Sequence, residues 1–123
     1  IVGRSLVVGK PLAMLCLARH ATVTVCHTRT VDLAARVREA EIVFVAAGQA
    51  EMLGPEFFTP GQIVVDVGIH VTDEGKLVGD VRQAEVDPIV AALTPVPGGV
   101  GTVTTSVLVE HVVQAAEKRA AMA

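Results

Sequence analysis

Apolar positions fall along this chain in short β-branched runs separated by stripes at helical spacing. Residues 22–26 (TVTVC), 42–47 (IVFVAA) and 63–67 (IVVDV) predict strands, with Ile1-Val2 as the end of another and Leu93-Thr94 as a short last one. Residues 11–20 predict a helix with Pro11 in its first turn and Leu12, Leu15 and Cys16 on one face. A second helix is predicted over 31–40, capped at Thr30 or Asp32, with Leu33, Val37 and Ala40 in register. A long third spans 104–121, with Val107, Leu108, Val112 and Ala115 as its apolar positions. The run 42–47 is continuously apolar, the pattern of a strand buried on both faces of a parallel sheet. Asp73-Glu74-Gly75 reads as a hairpin turn, Pro60-Gly61 as a turn and 51–58 as a short helical or irregular piece. Residues 81–92 are ambiguous, with a helix after Asp87-Pro88 as one reading.

Strands alternating with helices predict an α/β class: a Rossmann-like, doubly wound, mostly parallel sheet with a small hairpin. Right-handed crossovers then bring the strand exits to one edge. Gly3-Arg4-Ser5, His27-Thr28-Arg29, Gly48-Gln49, Gly68-Ile69-His70 and Pro97-Gly98-Gly99 all fall there, an arrangement suited to a dinucleotide.

Composition narrows the partners. Aromatic residues are 2% of the chain and the net charge is −3, so neither a base-stacking platform nor a basic footprint for nucleic acid is expected. No apolar run approaches the ~18 residues of a membrane span, and no signal peptide is visible. Cys16 and Cys26 form neither a CxxC pair nor a zinc spacing, so both read as buried free thiols and no metal is expected. A reducing compartment follows. The chain opens on Ile1-Val2 without an initiator Met, in what looks like the last part of a strand. The expectation is a fragment, truncated at its N-terminus.

The first loop, GRSLVVGKP, is neither of two familiar phosphate motifs. Five residues separate Gly3 from Gly9 where a P-loop has four, and Pro11 replaces the magnesium-binding hydroxyl. Arg4-Ser5 stand where GxGxxG has its second glycine. A guanidinium and a hydroxyl at a sheet edge suit a phosphate, although an exposed Arg in an ordinary loop has the same spacing. At the exit of the second strand, the acidic residue that would bond a ribose 2′-OH is missing from Cys26-His27-Thr28-Arg29-Thr30. Thr28 can donate to a 2′-phosphate and Arg29 can attract one, which favours NADP over NAD. Asp66 and Asp80 read as loop-fixing carboxylates. His27 taken alone reads as structural, and His70 and His111 do too, having no evident carboxylate partner. The segment 94–104 (TPVPGGVGTVT) is either a rigid connector or a loop lining a flat ring.

Taken in order, VGRSLVVGKP, VCHTRT, VVDVGIH, VGDV and TPVPGGVGTVT resemble the C-terminal domain of the methylenetetrahydrofolate dehydrogenase/cyclohydrolase (FolD) family, over the whole chain. The resemblance implies that residues 1–123 are an NAD(P)-binding domain of an enzyme oxidising 5,10-methylenetetrahydrofolate with NADP and hydrolysing the methenyl product to 10-formyltetrahydrofolate. It implies cofactor contacts from Gly3, Arg4 and Ser5, from Thr28 beside the 2′-phosphate, from Ile69, and from Gly98, Gly99, Val100 and Gly101 over the nicotinamide. It also implies a cytoplasmic homodimer in one-carbon metabolism and purine biosynthesis, with tetrahydrofolate derivatives as small-molecule partners and no nucleic acid or membrane. Three positions depart from the family: Thr102 and Val103 replace Pro and Met, and His70 stands where Asn is common. The family's catalytic Lys, in a Tyr-x-x-x-Lys arrangement, belongs to an N-terminal domain that would precede Ile1. Lys10, Lys76 and Lys118 do not match it, so no catalytic residue is expected in this chain. Two other readings are an isolated dinucleotide-binding module without turnover and the cofactor domain of another two-domain NADP dehydrogenase. The PGGVG loop argues against the latter.

Overall fold

Three short strands form the centre of the chain, whose computed structural model describes residues 1–122. β1 (Ile42–Val45) pairs in parallel with β2 (Ile63–Asp66), and β2 in parallel with β5 (Ala92–Leu93). On the other side of β1, Val2 bridges both Val45 and Cys26, again in parallel. The lines of backbone therefore lie in the order Cys26, Val2, β1, β2, β5, and chain growth reverses between Val2 and β1. That reversal is the topological switch point of a doubly wound sheet, where such folds take their ligands. The hairpin is β3 (His70–Val71) against β4 (Leu77–Val78), antiparallel. Its turn is closed by Gly75 N–H donating to Thr72 O at 2.8 Å. The helices are α1 (Gly9–Ala18), α2 (Leu33–Arg38), α3 (Gln83–Val86) and α4 (Val100–Ala121), with a 3-10 turn at Pro55–Phe57.

The core is aliphatic: Val2, Val37, Val43, Val45, Leu53, Val64, Val81 and Val86 are buried together with Cys26 and Phe58. α2 lies over it as its spacing predicts, with Val37 buried and Leu33 and Ala40 packed beside it. Asp32 caps it, accepting from Ala35 N–H at 3.2 Å. Thr30 instead accepts from His27 N–H at 2.8 Å. Buried Gln62 satisfies the far end of α2, its amide donating to the carbonyls of Val37 and Ala40 at 2.8 and 2.6 Å.

Several expectations are corrected. β1 is not buried on both faces: Val43 and Val45 are buried while Ile42 is exposed, and β2 alternates likewise between Val64 and Ile63. The face carrying Ile42 and Ile63 stays open because α4, the one long helix among the described residues, buries none of its residues. The strand expected at 22–26 shrinks to a bridge at Cys26, which pairs with Val2. α1 starts at Gly9, before Pro11, and turns Gly9 and Ala13 inward while Leu15 is exposed. Cys16 is half-buried; Cys26 is buried, and both are free thiols. The helical turn at 83–86 precedes Asp87-Pro88, anchored by fully buried Val86. α4 begins at Val100, four residues early, and within it the Thr104, Thr105 and Ser106 hydroxyls donate back to the carbonyls of Val100, Gly101 and Thr102 at 3.0–3.1 Å, so these residues are accommodated inside the helix.

Gly3 has φ +124°, and a Cβ there would collide with the carbonyl of Ala46 on the next line of the sheet. Gly3→Ala is expected to cost about 2–4 kcal/mol, because no side-chain rotation relieves a clash with backbone. Gly75→Ala, with φ +78° but open space, should cost about 1 kcal/mol. Urea unfolding of the two variants checks the difference.

Candidate functional site

The sheet edge at the switch point is built from strand exits. Gly3 N–H donates to Cys26 O at 2.9 Å and Ala46 N–H to Val2 O at 2.8 Å. The loops after Cys26, Val2 and Val45 therefore leave the sheet side by side. Arg4 and Ser5 are exposed, and Arg4 has no ion-pair partner among the described residues. The Ser5 hydroxyl accepts from Val8 N–H at 3.0 Å and Gly9 N–H at 3.4 Å, which starts α1. Both lone pairs are thereby used and the hydroxyl proton is left for another acceptor. In the neighbouring exit, His27 Nδ1 accepts from Arg29 N–H at 3.1 Å, and the turn presents Thr28 and Arg29 to solvent beside Arg4's loop.

At the opposite end, residues 66–69 and 95–102 with Thr105 enclose a cleft of about 370 Å³. Ile69 forms one wall and is 65% exposed. Gly98, with φ +94°, Gly99 and the first turn of α4 at Val100 and Gly101 form the other. Thr94 ties the two walls, its Oγ1 accepting from Asp66 N–H at 2.9 Å. From the Cys26 line to β5 there are four interstrand spacings, roughly 19 Å. The edge thus suits an elongated ligand, with basic and hydroxyl groups at one end and a flat, largely backbone-walled slot at the other.

Beneath this edge lie two buried carboxylates, Asp66 and Asp80. Asp66 accepts from Gly68 N–H (2.9 Å), Asp80 N–H (3.1 Å) and Val81 N–H (2.9 Å). Asp80 accepts from Ala47 N–H (2.7 Å), Gly48 N–H (3.0 Å) and Gln49 N–H (3.0 Å). The loop-fixing roles expected for both are observed. The glycines between them are needed for space, since a Cβ on Gly68 would strike Asp80 and one on Gly79 would strike Asp66. His70, expected to lack a carboxylate partner, has one: its Nε2 lies 2.7 Å from Asp80 Oδ1. The pair was missed because the partner is set by strand register. His70 lies opposite Val78, so the hairpin delivers Asp80 two residues further on. The turn signal at Asp73-Glu74-Gly75 was the available clue.

Burial pushes the Asp66 carboxyl above its usual range, the bonds from Val81, Asp80 and Gly68 pull it back, and the Asp80 charge pushes it up again. Burial likewise raises the Cys26 thiol, which opposes a nucleophilic role. Among the described residues no group of three or more His, Cys, Asp or Glu could hold a metal ion, and no helix is long and apolar enough to cross a membrane.

The profile of the tetrahydrofolate dehydrogenase/cyclohydrolase NAD(P)-binding domain matches residues 1–120. The chain belongs to that family. It is 56% identical over 119 residues to the bifunctional protein FolD of Synechococcus sp. (strain RCC307), covering 97% of this chain and 41% of that protein. It is also 56% identical to bifunctional protein FolD 1 of Rubrobacter xylanophilus, covering 97% and 42%. Among solved structures, it is similar to the FolD methylenetetrahydrofolate dehydrogenase/cyclohydrolase of Campylobacter jejuni, with TM-score 0.91, 45% identity, and coverage of 96% and 42%. The Trypanosoma brucei enzyme, solved with NADP cofactor and an inhibitor, aligns at TM-score 0.79 and 41% identity, covering 89% and 39%. The chain spans about two fifths of the length of the curated relatives it matches. Membership in the NAD(P)-binding domain family accords with the Rossmann-like order of the sheet.

The raised Asp66 carboxyl gives this domain a pH signature. The folded chain holds the proton more tightly than the unfolded one, so the Asp66 contribution to stability is full below the ordinary carboxylate range. It is lost as pH rises through the raised value. Unfolding free energies between pH 4 and 7 should therefore fall more steeply for the wild type than for Asp66→Asn, once each is referred to its own value at pH 7.

Proposed function

We propose that this chain is the cofactor half of an NADP-dependent methylenetetrahydrofolate dehydrogenase/cyclohydrolase. The observation that carries the reading is the pairing of Gly3 N–H with Cys26 O, which sets Arg4 and Ser5 beside Thr28 and Arg29 at the switch point. Gly3 lets the dinucleotide backbone approach the sheet edge, and the unpaired Arg4 guanidinium and free Ser5 proton meet phosphate oxygens. Thr28 and Arg29 take the 2′-phosphate with Arg4 beside them, where a carboxylate would repel it. Ile69 and the segment Gly98, Gly99, Val100 and Gly101 hold the nicotinamide in the cleft. The glycine and proline backbone of that wall leaves room for a flat ring.

Bound NADP supplies the hydride-accepting chemistry for oxidising the methylene bridge of the folate. This chain's part is to bind, orient and partly desolvate; the proton transfers of the cyclohydrolase reaction need a general acid or base that none of the candidate positions here provides. The relatives named bifunctional FolD support a tetrahydrofolate derivative as substrate. The reading extends to a cytoplasmic homodimer in one-carbon metabolism feeding purine synthesis.

Calorimetry with the two dinucleotides tests the phosphate assignment. NADP is expected to bind at least about tenfold tighter than NAD, ~1.4 kcal/mol, and Arg4→Ala should lower NADP affinity more than NAD affinity. Equal affinities in the wild type would contradict the 2′-phosphate reading.

A further inference from the structure

One carboxylate beneath the sheet edge is shared by two loops. Asp80 has no solvent exposure and takes three bonds from the backbone of residues 47–49, the loop that leaves β1 at the switch point. Its fourth bond comes from His70, which directly follows Ile69 on the wall of the cleft. The two loops leave neighbouring strands at the middle of the edge: 47–49 lies on the Gly3 side, and 68–70 borders the 370 Å³ cleft. Of the four bonds, only that from His70 joins side chain to side chain. The imidazole is 24% exposed, so it can be replaced without opening the core.

We propose that His70 is a positioning residue for the dinucleotide: through Asp80 it fixes the 47–49 loop relative to Ile69, so both sides of the site are set before the ligand arrives. The inference rests on reading this edge as the dinucleotide site. Both Asp80 oxygens already accept backbone N–H groups, so the proton between the partners sits on His70 Nε2. The neutral Nε2–H tautomer and the imidazolium both supply it. A preorganised site spends less of its binding energy on ordering loops, and the effect appears as affinity. What matters at position 70 is then an N–H donor at the reach of Nε2. Gln supplies one at nearly the same distance; Leu fills similar volume and supplies none.

The test is calorimetric titration of NADP into the full chain and its His70→Gln and His70→Leu variants, with amide NMR of Ala47, Gly48 and Gln49 and a ¹⁵N spectrum of the His70 ring. His70→Leu is expected to weaken NADP about tenfold and to shift the Gly48 and Gln49 amide resonances, while His70→Gln stays within about threefold of wild type. The wild-type ring should show a protonated Nε2. Folded His70→Leu protein that binds NADP within about twofold of wild type would overturn the proposal, as would a Gln variant as weak as Leu. Should His70→Leu fail to fold, the ring spectrum decides, because a wild-type ring protonated only on Nδ1 excludes the bond to Asp80. Wild-type protein that does not bind NADP at all would instead defeat the dinucleotide reading. The amide shifts and the Nε2 proton would then judge the loop coupling alone.

Discussion

The sheet edge at the switch point stands on two interlocked carboxylates. Asp66 closes β2 and gathers the backbone of Gly68, Asp80 and Val81, and Asp80 in turn gathers residues 47–49 and His70. Each takes N–H groups that strand ends would otherwise leave unpaired under the ligand edge, where a buried donor without an acceptor costs about 1–3 kcal/mol. The glycines at 68 and 79 make the interlock possible, because each carboxylate occupies space that a Cβ would fill. Two carboxylates packed this closely are tolerated because the surrounding donors are fixed. The upward push on Asp66 comes first from its burial, with the neighbouring Asp80 as a smaller contribution.

From this base the edge acquires opposite characters at its two ends. The Arg4 and Thr28 loops hang from the Gly3–Cys26 bond and are polar and exposed. The cleft between Ile69 and the start of α4 is walled by glycine, proline and short apolar side chains. A sheet with a single switch point produces that asymmetry without any special motif. The exposed apolar residues are concentrated on α1 and α4, including Leu15 on the first and Val103, Leu108 and Val112 on the second. Among the described residues nothing covers them.

Much of this was legible in the residues. The runs at 42–47 and 63–67, the Asp73-Glu74-Gly75 turn, a cap at Thr30 or Asp32 and the α/β alternation correspond to strands, hairpin, the Asp32 cap and doubly wound order, because local preference and tertiary packing agree there. The open face of β1 was not legible, since periodicity reports what a strand can bury rather than which layer covers it. The early start of α1 depends on Ser5, whose hydroxyl accepts from the Val8 and Gly9 N–H groups, a side-chain bond that periodicity does not register. The link from His70 to Asp80 required the hairpin register, and the 47–49 loop required Asp80 in turn. Neither has a local signature.

A crystal structure of the full chain with NADP tests the central claim most directly. The account predicts that the dinucleotide crosses the edge over Gly3, with its 2′-phosphate between Arg4 and Thr28 and its nicotinamide between Ile69 and Gly98. Residues 47–49 and 68–70 should be displaced by no more than about 1 Å from their positions here. A dinucleotide bound elsewhere on the chain, or one that binds only after Asp80 releases residues 47–49, would contradict it.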